Sequence, residues 1–223
     1  MNIDDIKRVG MSAAYKGGEV LRTHFGNLEA INKKGAIDLV TEADIESEKV
    51  IIESIRRSFP EHSVLAEESG LERGRQAELW IIDPLDGTTN FAHRLQIFCV
   101  SIAFEYQGEL LFGIVLNPES GELFTAAKGE GASLNGKPIT TSDVGNLSDS
   151  LLVTGFPYNH QEMLAPLMNR FTRCLTASQG LRRLGSAALD LCYIACGRFE
   201  GFWEQNLKPW DTAAGTLPRA GFW

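Results

Sequence analysis

The order of hydrophobic and polar residues changes its period several times along the chain, which predicts both helices and strands. Near the N-terminus apolar residues recur at helical spacing, so we expect a first helix that Asp4 or Asp5 caps and that Gly26 ends. The same spacing predicts a second helix from about Asp44 to Ser58. Its apolar face is expected to comprise Ile45, Val50, Ile51 and Ile55.

Between and after these helices the pattern is that of strands. Two short strands are predicted on either side of a turn at Lys34-Gly35. From residues 97 to about 127, apolar runs of strand length alternate with turn residues, which is typical of antiparallel hairpins. In the last third, helices at about 161–173 and 185–196 alternate with strands at 151–154, 175–177 and 201–204, which indicates an α/β arrangement.

The two patterns meet at residues 142–149, where small and polar residues dominate. We therefore predict an N-terminal α+β half over residues 1–145 and a C-terminal α/β half over residues 146–223, which together form one compact unit. The hydrophobic fraction of 43% and the charged fraction of 22% are those of ordinary soluble proteins. The net charge of −8 argues against nucleic acid or an anionic membrane as a partner.

Targeting and redox signals favour the cytoplasm. The N-terminus has no basic stretch followed by an apolar core, so no signal peptide is expected, and no apolar run approaches the length of a membrane span. The cysteines form neither a C-x-x-C pair nor a zinc-binding spacing. Reduced thiols in a cytoplasmic protein are therefore expected.

One stretch concentrates residues that carry chemistry. An apolar run over residues 79–82, short enough for one buried strand, leads into Asp83 and Asp86 with Pro84 between them. We expect Pro84 to end the strand, Gly87 to permit a tight turn, and the polar residues after it to begin a helix. A helix N-terminus favours phosphate, and carboxylates beside it indicate cations between the two. Oxygen ligands alone suit Mg²⁺ or Mn²⁺, which predicts metal-assisted phosphoryl chemistry.

Three motifs of this chain resemble those of one known family. Residues 83–91, which read DPLDGTTNF, are similar to the first signature of the inositol monophosphatase family, and residues 210–215, WDTAAG, are similar to the second. The acidic pair Glu67-Glu68 stands where the family has one. The resemblance covers the chain to about Gly215. It implies an α/β (α+β) fold, a layered α-β-α-β-α sandwich with a metal site where the ends of two sheets meet.

The resemblance also implies a set of metal ligands. A first Mg²⁺ is held by Glu67, Asp83 and the carbonyl oxygen of Leu85, and a second by Asp83, Asp86 and Asp211. A third, weaker ion rests on Glu67 and water, and Mn²⁺ can substitute for Mg²⁺. Two such ions lie ~3.5–4 Å apart and clamp the attacking and leaving oxygens of a phosphate ester. For Asp211, a helix cap is a second role that is compatible with metal binding.

Further roles follow from the same resemblance. The attacking group is a metal-bound water, which Glu67 activates together with the Thr88 hydroxyl. Asp44 either supports Thr88 or is only an N-cap. The backbone N–H groups of Gly87 and Thr88 hold phosphate oxygens. Contacts to the hydroxyl groups of the substrate are implied for Asp86, Gly185, Ser186, Ala187 and Glu204.

The implied activity is that of a lithium-sensitive, Mg²⁺-dependent phosphomonoesterase, a hydrolase that acts on inositol monophosphate or a similar small polyol or sugar phosphate. Fructose-1,6-bisphosphatase, NADP-type nucleotide phosphatase and histidinol-phosphatase are alternatives of the same fold. A regulatory or binding protein with weak catalysis is the alternative from another class. A homodimer is also implied. Three roles are possible for Arg182 and Arg183: binding a phosphate, forming a subunit interface, or lying on a solvated surface.

The chain departs from the family pattern after Gly215. Family members continue with the rest of that helix and a further strand, whereas here we expect Pro218 to interrupt the helix before the sequence stops at Trp223. The ending reads as shortened or altered. A missing strand is expected to leave the second sheet with an exposed edge.

Overall fold

A computed structural model describes residues 2–27, 31–33, 39–74, 77–157 and 160–217 of the chain. The helices within these ranges are α1 (Ile3–His24), α2 (Glu42–Ser58), α3 (Thr88–Ala92), α4 (Leu164–Ala177), α5 (Ala187–Ala195) and α6 (Pro209–Thr216). The strands are β1 (Ile31–Lys33), β2 (Leu39–Thr41), β3 (Ser63–Ala66), β4 (Gly70–Glu72), β5 (Glu78–Asp86), β6 (Cys99–Tyr106), β7 (Glu109–Asn117), β8 (Glu122–Ala127), β9 (Gly131–Leu134), β10 (Lys137–Pro138), β11 (Leu151–Thr154), β12 (Gly180–Arg182) and β13 (Gly201–Trp203).

The strands form three sheets. The largest has eight strands in the order β10-β9-β8-β7-β6-β5-β3-β4, and all its neighbours are antiparallel except β3 and β5. The second has three parallel strands in the order β12-β11-β13. A short antiparallel ladder joins β1 to β2. The hairpins predicted for the middle of the chain are therefore confirmed.

The elements stack in five layers. Helices α1 and α2 pack on one face of the eight-stranded sheet, and α5 and α6 pack on the other. The three-stranded sheet covers the far side of α5, and α4 packs against its strand β12. The predicted α-β-α-β-α sandwich is thus confirmed.

Strand β5 is buried on both faces. Trp80 and Ile82 belong to the core beneath α1 and α2, whereas Ile81 belongs to the core beneath α5 and α6. Helices cover both faces of the strand, which explains why the hydrophobic run before Asp83 is uninterrupted. The acidic turn therefore begins from a strand that has no solvent-exposed face.

Helix α6 lies directly on the large sheet at Gly113 of β7. A Cβ atom at Gly113 would come within 2.7 Å of the carbonyl oxygen of Ala214 and 3.0 Å of its Cα atom. Backbone atoms cannot move aside as a flexible side chain does, so only glycine allows the helix and the sheet to touch here. This contact positions the helix that carries Asp211.

Three details of the predicted helices are wrong. Asn2 caps α1 by accepting a hydrogen bond from the N–H group of Asp4, so Asp4 and Asp5 lie inside the first turn. Helix α2 begins at Glu42, earlier than expected. Ile45 is 55% exposed because it is six residues from Ile51, which places it roughly 120° around the helix. The buried face of α2 comprises Ala43, Asp44, Ser47, Glu48, Ile51, Ser54 and Ile55.

The strand predicted at residues 175–177 is also wrong. These residues form the last turn of α4, and the strand follows at Gly180–Arg182. Leu175 is exposed, so the predicted strand does not mark a buried segment. The predicted turn at Lys34-Gly35 and the predicted helix break at Pro218 lie outside the described residues.

The helices and the cysteines can be compared with what the sequence predicts. Across the described ranges, none of the helices has the length and apolar character needed to cross a lipid bilayer. All four cysteines, Cys99, Cys174, Cys192 and Cys196, are free thiols.

Candidate active site

The acidic turn is built as a bulge in β5. Pairing with β6 continues past Pro84, from Asp83 opposite Ser101 to Asp86 opposite Cys99, with a shift of register between the two pairs. The prediction that Pro84 ends the strand is therefore wrong. A bulge interrupts the ladder of hydrogen bonds, so a residue without an N–H group is tolerated there.

Gly87 redirects the chain between β5 and α3. Its φ of +100° is a left-handed conformation, and a Cβ atom there would lie 2.9 Å from the carbonyl oxygen of Ile97. Helix α3 then begins at Thr88 and lasts only five residues. Inside the turn, the N–H group of Leu85 donates to Asp83 Oδ1 at 3.0 Å, which fixes this carboxylate.

Asp44 and Thr88 connect α2 to this turn. The Thr88 hydroxyl lies 3.2 Å from Asp44 Oδ1 and 3.1 Å from the carbonyl oxygen of Leu85. Asp44 Oδ2 accepts hydrogen bonds from the backbone N–H (2.8 Å) and the hydroxyl (2.6 Å) of Thr41. Thr41 is the N-cap of this capping box, so the interpretation of Asp44 as the N-cap is wrong. Burial raises the pKa of Asp44 to about 6, against the lowering effect of these hydrogen bonds.

Glu48 stabilises the loop that carries Glu67 by two hydrogen bonds. The two oxygens of its buried carboxylate accept from the N–H groups of Glu68 at 2.8 Å and Ser69 at 2.9 Å. The N–H group of Glu67 donates to the carbonyl oxygen of Ile82 in β5 at 3.2 Å. The sequence interpretation misses Glu48. The feature of the sequence that could have indicated Glu48 is its position, because helical spacing places this polar residue on the buried face of α2.

We expect Glu48→Ala to accelerate hydrogen exchange at the amides of Glu68 and Ser69 by about 10- to 100-fold, because both amides lose a charged acceptor. Exchange measured by NMR at these two amides checks this. The matched control is Glu53→Ala, which removes an exposed carboxylate from the same helix. Unchanged exchange in Glu48→Ala would show that the loop is held by other contacts.

Asp86 ties the turn to the C-terminal part of the chain. Its Oδ2 accepts from the hydroxyl of Ser186 and the N–H group of Ala188, both at 2.7 Å, and its Oδ1 accepts from the N–H group of Ala187 at 3.3 Å. Asp86 therefore caps the N-terminus of α5, where the helix dipole favours negative charge. Burial raises the pKa of Asp86, and these hydrogen bonds oppose the rise.

Asp211 enters the site from the first turn of α6. Its Oδ2 accepts from the N–H group of Lys208, the N-cap residue, at 2.6 Å. The capping contact expected of this aspartate is therefore present. Burial raises the pKa of Asp211 to about 6, and the hydrogen bond to Lys208 opposes the rise.

Asp83 is buried in the acidic turn and is only 1% exposed. Burial raises its pKa well above the ordinary range, and the charges of Glu67, Asp86 and Asp211 raise it further. A divalent cation would relieve this repulsion, and the oxygen donors, including the Leu85 carbonyl, fit a hard ion such as Mg²⁺. Within the described part of the chain, no three acidic, histidine or cysteine side chains already converge as a ligand cage.

These groups surround a cavity of about 680 Å³. The predicted site residues that line it are Glu67, Asp86, Gly87, Thr88, Gly185, Ala187, Glu204 and Asp211. The other four, which are buried and interact with lining residues, are Asp44, Asp83, Leu85 and Ser186. Arg183 also lines the cavity, whereas Arg182 is the exposed last residue of β12.

Two further acids lie on the C-terminal side of the site. Burial raises the pKa of Glu204 to about 7, the charge of Asp86 adds to the rise, and Arg183 opposes it. Asp190 on α5 is fully buried, and burial raises its pKa to about 9. Within the described residues its Oδ1 atom has no hydrogen-bond partner. Asp190 is therefore a neutral acid at pH 7, which the sequence interpretation misses.

The arrangement can be compared with known proteins. A model described as the inositol monophosphatase family matches residues 2–217. The chain belongs to the inositol monophosphatase family. The match includes the acidic turn, the loop that carries Glu67 and the helix that carries Asp211, so all of these acids lie in one continuous family match.

Curated members of the inositol monophosphatase family include two informative relatives. Inositol-1-monophosphatase from Synechocystis sp. is 46% identical over 211 residues, which cover 94% of this chain and 74% of the relative. Nus factor SuhB from Escherichia coli K12 is 43% identical over 212 residues, which cover 94% of this chain and 79% of the relative. These similarities support a phosphatase.

Solved structures of the family have the same fold. Inositol monophosphatase from Anabaena superposes with a TM-score of 0.87 at 43% identity, covering 98% of this chain and 81% of the other. An IMPase/NADP phosphatase complexed with Mg²⁺ and phosphate superposes with a TM-score of 0.82 at 26% identity, covering 97% of this chain and 81% of the other.

Proposed function

We propose that the protein is a Mg²⁺-dependent, lithium-sensitive phosphomonoesterase that hydrolyses inositol monophosphate or a similar small polyol or sugar phosphate. The observation that carries the proposal is that Glu67, Asp86 and Asp211 line one cavity and that buried Asp83 lies near enough for the charges of all three to raise its pKa. Carboxylates that raise one another's pKa destabilise a fold unless cations bind between them, and such clusters mark functional sites. A relative named inositol-1-monophosphatase, at 46% identity, supports the same activity.

The proposed metal ligands are the four carboxylates and the carbonyl oxygen of Leu85. They would hold two or three Mg²⁺ ions, with Mn²⁺ as a substitute, and the related structure that contains Mg²⁺ and phosphate supports this choice. When bound, the ions supply positive charge that lowers the pKa of water and neutralises the phosphate.

The protein's own groups orient the attacking water and the phosphate. Thr88 donates its hydroxyl proton to Asp44 or to the Leu85 carbonyl, so its oxygen lone pairs are available to accept a hydrogen bond from water. Asp44, with a pKa of about 6, is mainly charged at pH 7 and keeps this orientation. We assign proton acceptance to Glu67 with Thr88. The N–H groups of Gly87 and Thr88 are the proposed phosphate contacts.

The proposed substrate class follows from carboxylates and small residues in and beside the same cavity. Glu204 and Asp86 present carboxylates, which accept hydrogen bonds from neighbouring hydroxyl groups. Gly185, Ser186 and Ala187, the other proposed substrate contacts, add little bulk. A volume of about 680 Å³ falls in the range of small-molecule sites. A related structure with the same fold is an IMPase/NADP phosphatase, so the fold alone does not choose between a polyol phosphate and a nucleotide phosphate.

Phosphate release should require Mg²⁺ and should be fastest with myo-inositol 1-phosphate. The measurement compares this substrate with fructose 1,6-bisphosphate, NADP and histidinol phosphate, each with Mg²⁺, with a chelator and with added lithium. Release that persists in the chelator would contradict metal dependence. Faster turnover of another ester would leave the phosphatase assignment intact and change only the substrate.

A second candidate function follows from the relative named Nus factor SuhB. We treat a Nus factor role as one of another class, a regulatory or binding role distinct from ester hydrolysis. Complementation of an Escherichia coli strain that lacks SuhB, with the wild-type chain and with Asp83→Asn side by side, separates the two functions. A cytoplasmic location is also proposed, on the four free thiols, and a homodimer is proposed on the family resemblance alone.

A further inference from the structure

Three residues follow the carboxyl ends of the strands in the three-stranded sheet. They are distinct from the proposed metal ligands. Strand β11 lies between β12 and β13, and all three strands run parallel. The residues that follow them are Arg183 after β12, Gly155 after β11 and Glu204 after β13. A glycine therefore lies between a cation and an anion, both of which line the cavity. The carboxyl ends of parallel strands are where such sheets bind ligands.

Gly155 leaves the space that the Glu204 carboxylate occupies. A Cβ atom on Gly155 would overlap Cδ and both carboxylate oxygens of Glu204, far inside the 3.0 Å that real Cβ atoms keep. Gly155 does not have a positive φ, so an alanine would suit the backbone, and the three atoms nearest to its Cβ position all belong to Glu204.

The sheet holds Gly155 in place. Its N–H group donates to the carbonyl oxygen of Trp203 at 3.4 Å, and the Thr154 hydroxyl donates to the same oxygen at 2.7 Å. Thr154 and Trp203 are also direct neighbours in the parallel register. A carboxylate at the end of a flexible side chain moves more easily than this backbone. Any side chain at position 155 would therefore displace Glu204 and leave the sheet unchanged.

We propose that Gly155 determines specificity for phosphate esters that carry neighbouring hydroxyl groups, because it gives the Glu204 carboxylate room to face the cavity. This inference rests on the proposed function and deepens it. Glu204 accepts hydrogen bonds and Arg183 donates them, so the pair suits adjacent hydroxyl groups of a polyol. The metal-binding acids lie on other elements, so a change at position 155 should spare the phosphate end of the site.

Gly155→Ala should raise KM for myo-inositol 1-phosphate by about 10- to 100-fold, the loss expected for one hydrogen bond to a charged group. With p-nitrophenyl phosphate, which has no hydroxyl group outside its phosphate, kcat and KM should stay within about twofold. Glu204→Ala should raise KM for myo-inositol 1-phosphate by a similar factor. The matched control is Gly145→Ala, because nothing lies within 4 Å of the methyl group it would add.

Double variants separate displacement of Glu204 from general damage. Gly155→Ala combined with Glu204→Ala should behave like Glu204→Ala alone, because the overlapping group is gone. Gly155→Ala combined with Glu204→Asp, a side chain shorter by one methylene, should recover part of the lost affinity. If Gly155→Ala alone does not fold, the double variant with Glu204→Ala should still fold.

Equal losses with both substrates, or additive losses in the double variants, would overturn the inference. Normal wild-type turnover together with an unchanged KM in folded Gly155→Ala would overturn the inference and leave the proposed function intact. A wild-type protein that hydrolyses none of the esters would overturn both.

Discussion

Asp83→Asn should lower the rate of phosphate-ester hydrolysis by about 10³-fold or more without unfolding the protein. Asparagine has nearly the same shape, and its carbonyl oxygen can still accept from the N–H group of Leu85, which lies 3.0 Å from Asp83 Oδ1. The charge proposed to bridge two ions is lost, and metal ions contribute several kcal/mol to transition-state stabilisation. The measurement is kcat/KM for myo-inositol 1-phosphate with saturating Mg²⁺.

Stability provides the control for this variant. In a chelator, Asp83→Asn should unfold at the same temperature as the wild type or at a higher one, because the repulsion from Glu67, Asp86 and Asp211 is removed. Asp143→Asn, which changes an exposed acid, should leave both activity and melting temperature unchanged. Wild-type activity in Asp83→Asn would show that this carboxylate is not a metal ligand.

Without divalent cations, the protein should lose stability as the pH rises from about 4 to about 7. Asp44 and Asp211 have pKa values of about 6 in the folded protein against an ordinary value of 3.8. The folded state therefore keeps protons that the unfolded chain has already released. The stabilisation from these protons is complete below about pH 4 and is lost as the pH rises through about 6. For the buried Asp44 alone, the loss is on the order of 3 kcal/mol.

Urea unfolding in a chelator across this pH range measures the effect. Asp44→Asn removes one titrating group and should flatten the decline in the free energy of unfolding. At pH 7, Mg²⁺ at a hundred times its Kd should restore about 2.7 kcal/mol. Near pH 5 the gain should be smaller, because protons compete for the same carboxylates. A wild type and an Asp44→Asn variant with identical pH slopes would contradict the assignment of this titration to Asp44.

The parts of the site that could be predicted from sequence are those in which the chemistry is local. Asp83, Asp86 and Gly87 lie within one turn, and the apolar run before them predicts a buried strand. The meeting of this turn with Glu67 and Asp211 is different, because contacts between distant segments leave no periodic trace in one sequence. Only the resemblance to a known family predicted that meeting.

The errors and omissions have physical causes. Pro84 suggested a strand end because proline cannot donate a ladder hydrogen bond, but a bulge removes that requirement. The strand predicted at residues 175–177 is wrong because a stretch of three residues is too short to distinguish a strand from an exposed helix turn. Glu48 and Gly155 were missed for a shared reason. Each acts through a partner that only the tertiary fold brings near, Glu48 through two amides and Gly155 through a carboxylate.

The order of the layers has a consequence for synthesis of the chain on the ribosome. All strands of the eight-stranded sheet lie between residues 63 and 138, whereas α5 and α6, which cover one of its faces, lie beyond residue 186. At about 5–20 residues per second, that apolar face, which includes Val115 and Phe124, stays uncovered for several seconds. We expect chaperones to bind the nascent chain at this stage, because its apolar sheet face is exposed. It also lacks Asp211, so it has no complete set of carboxylates with which to capture an ion before the last helix docks.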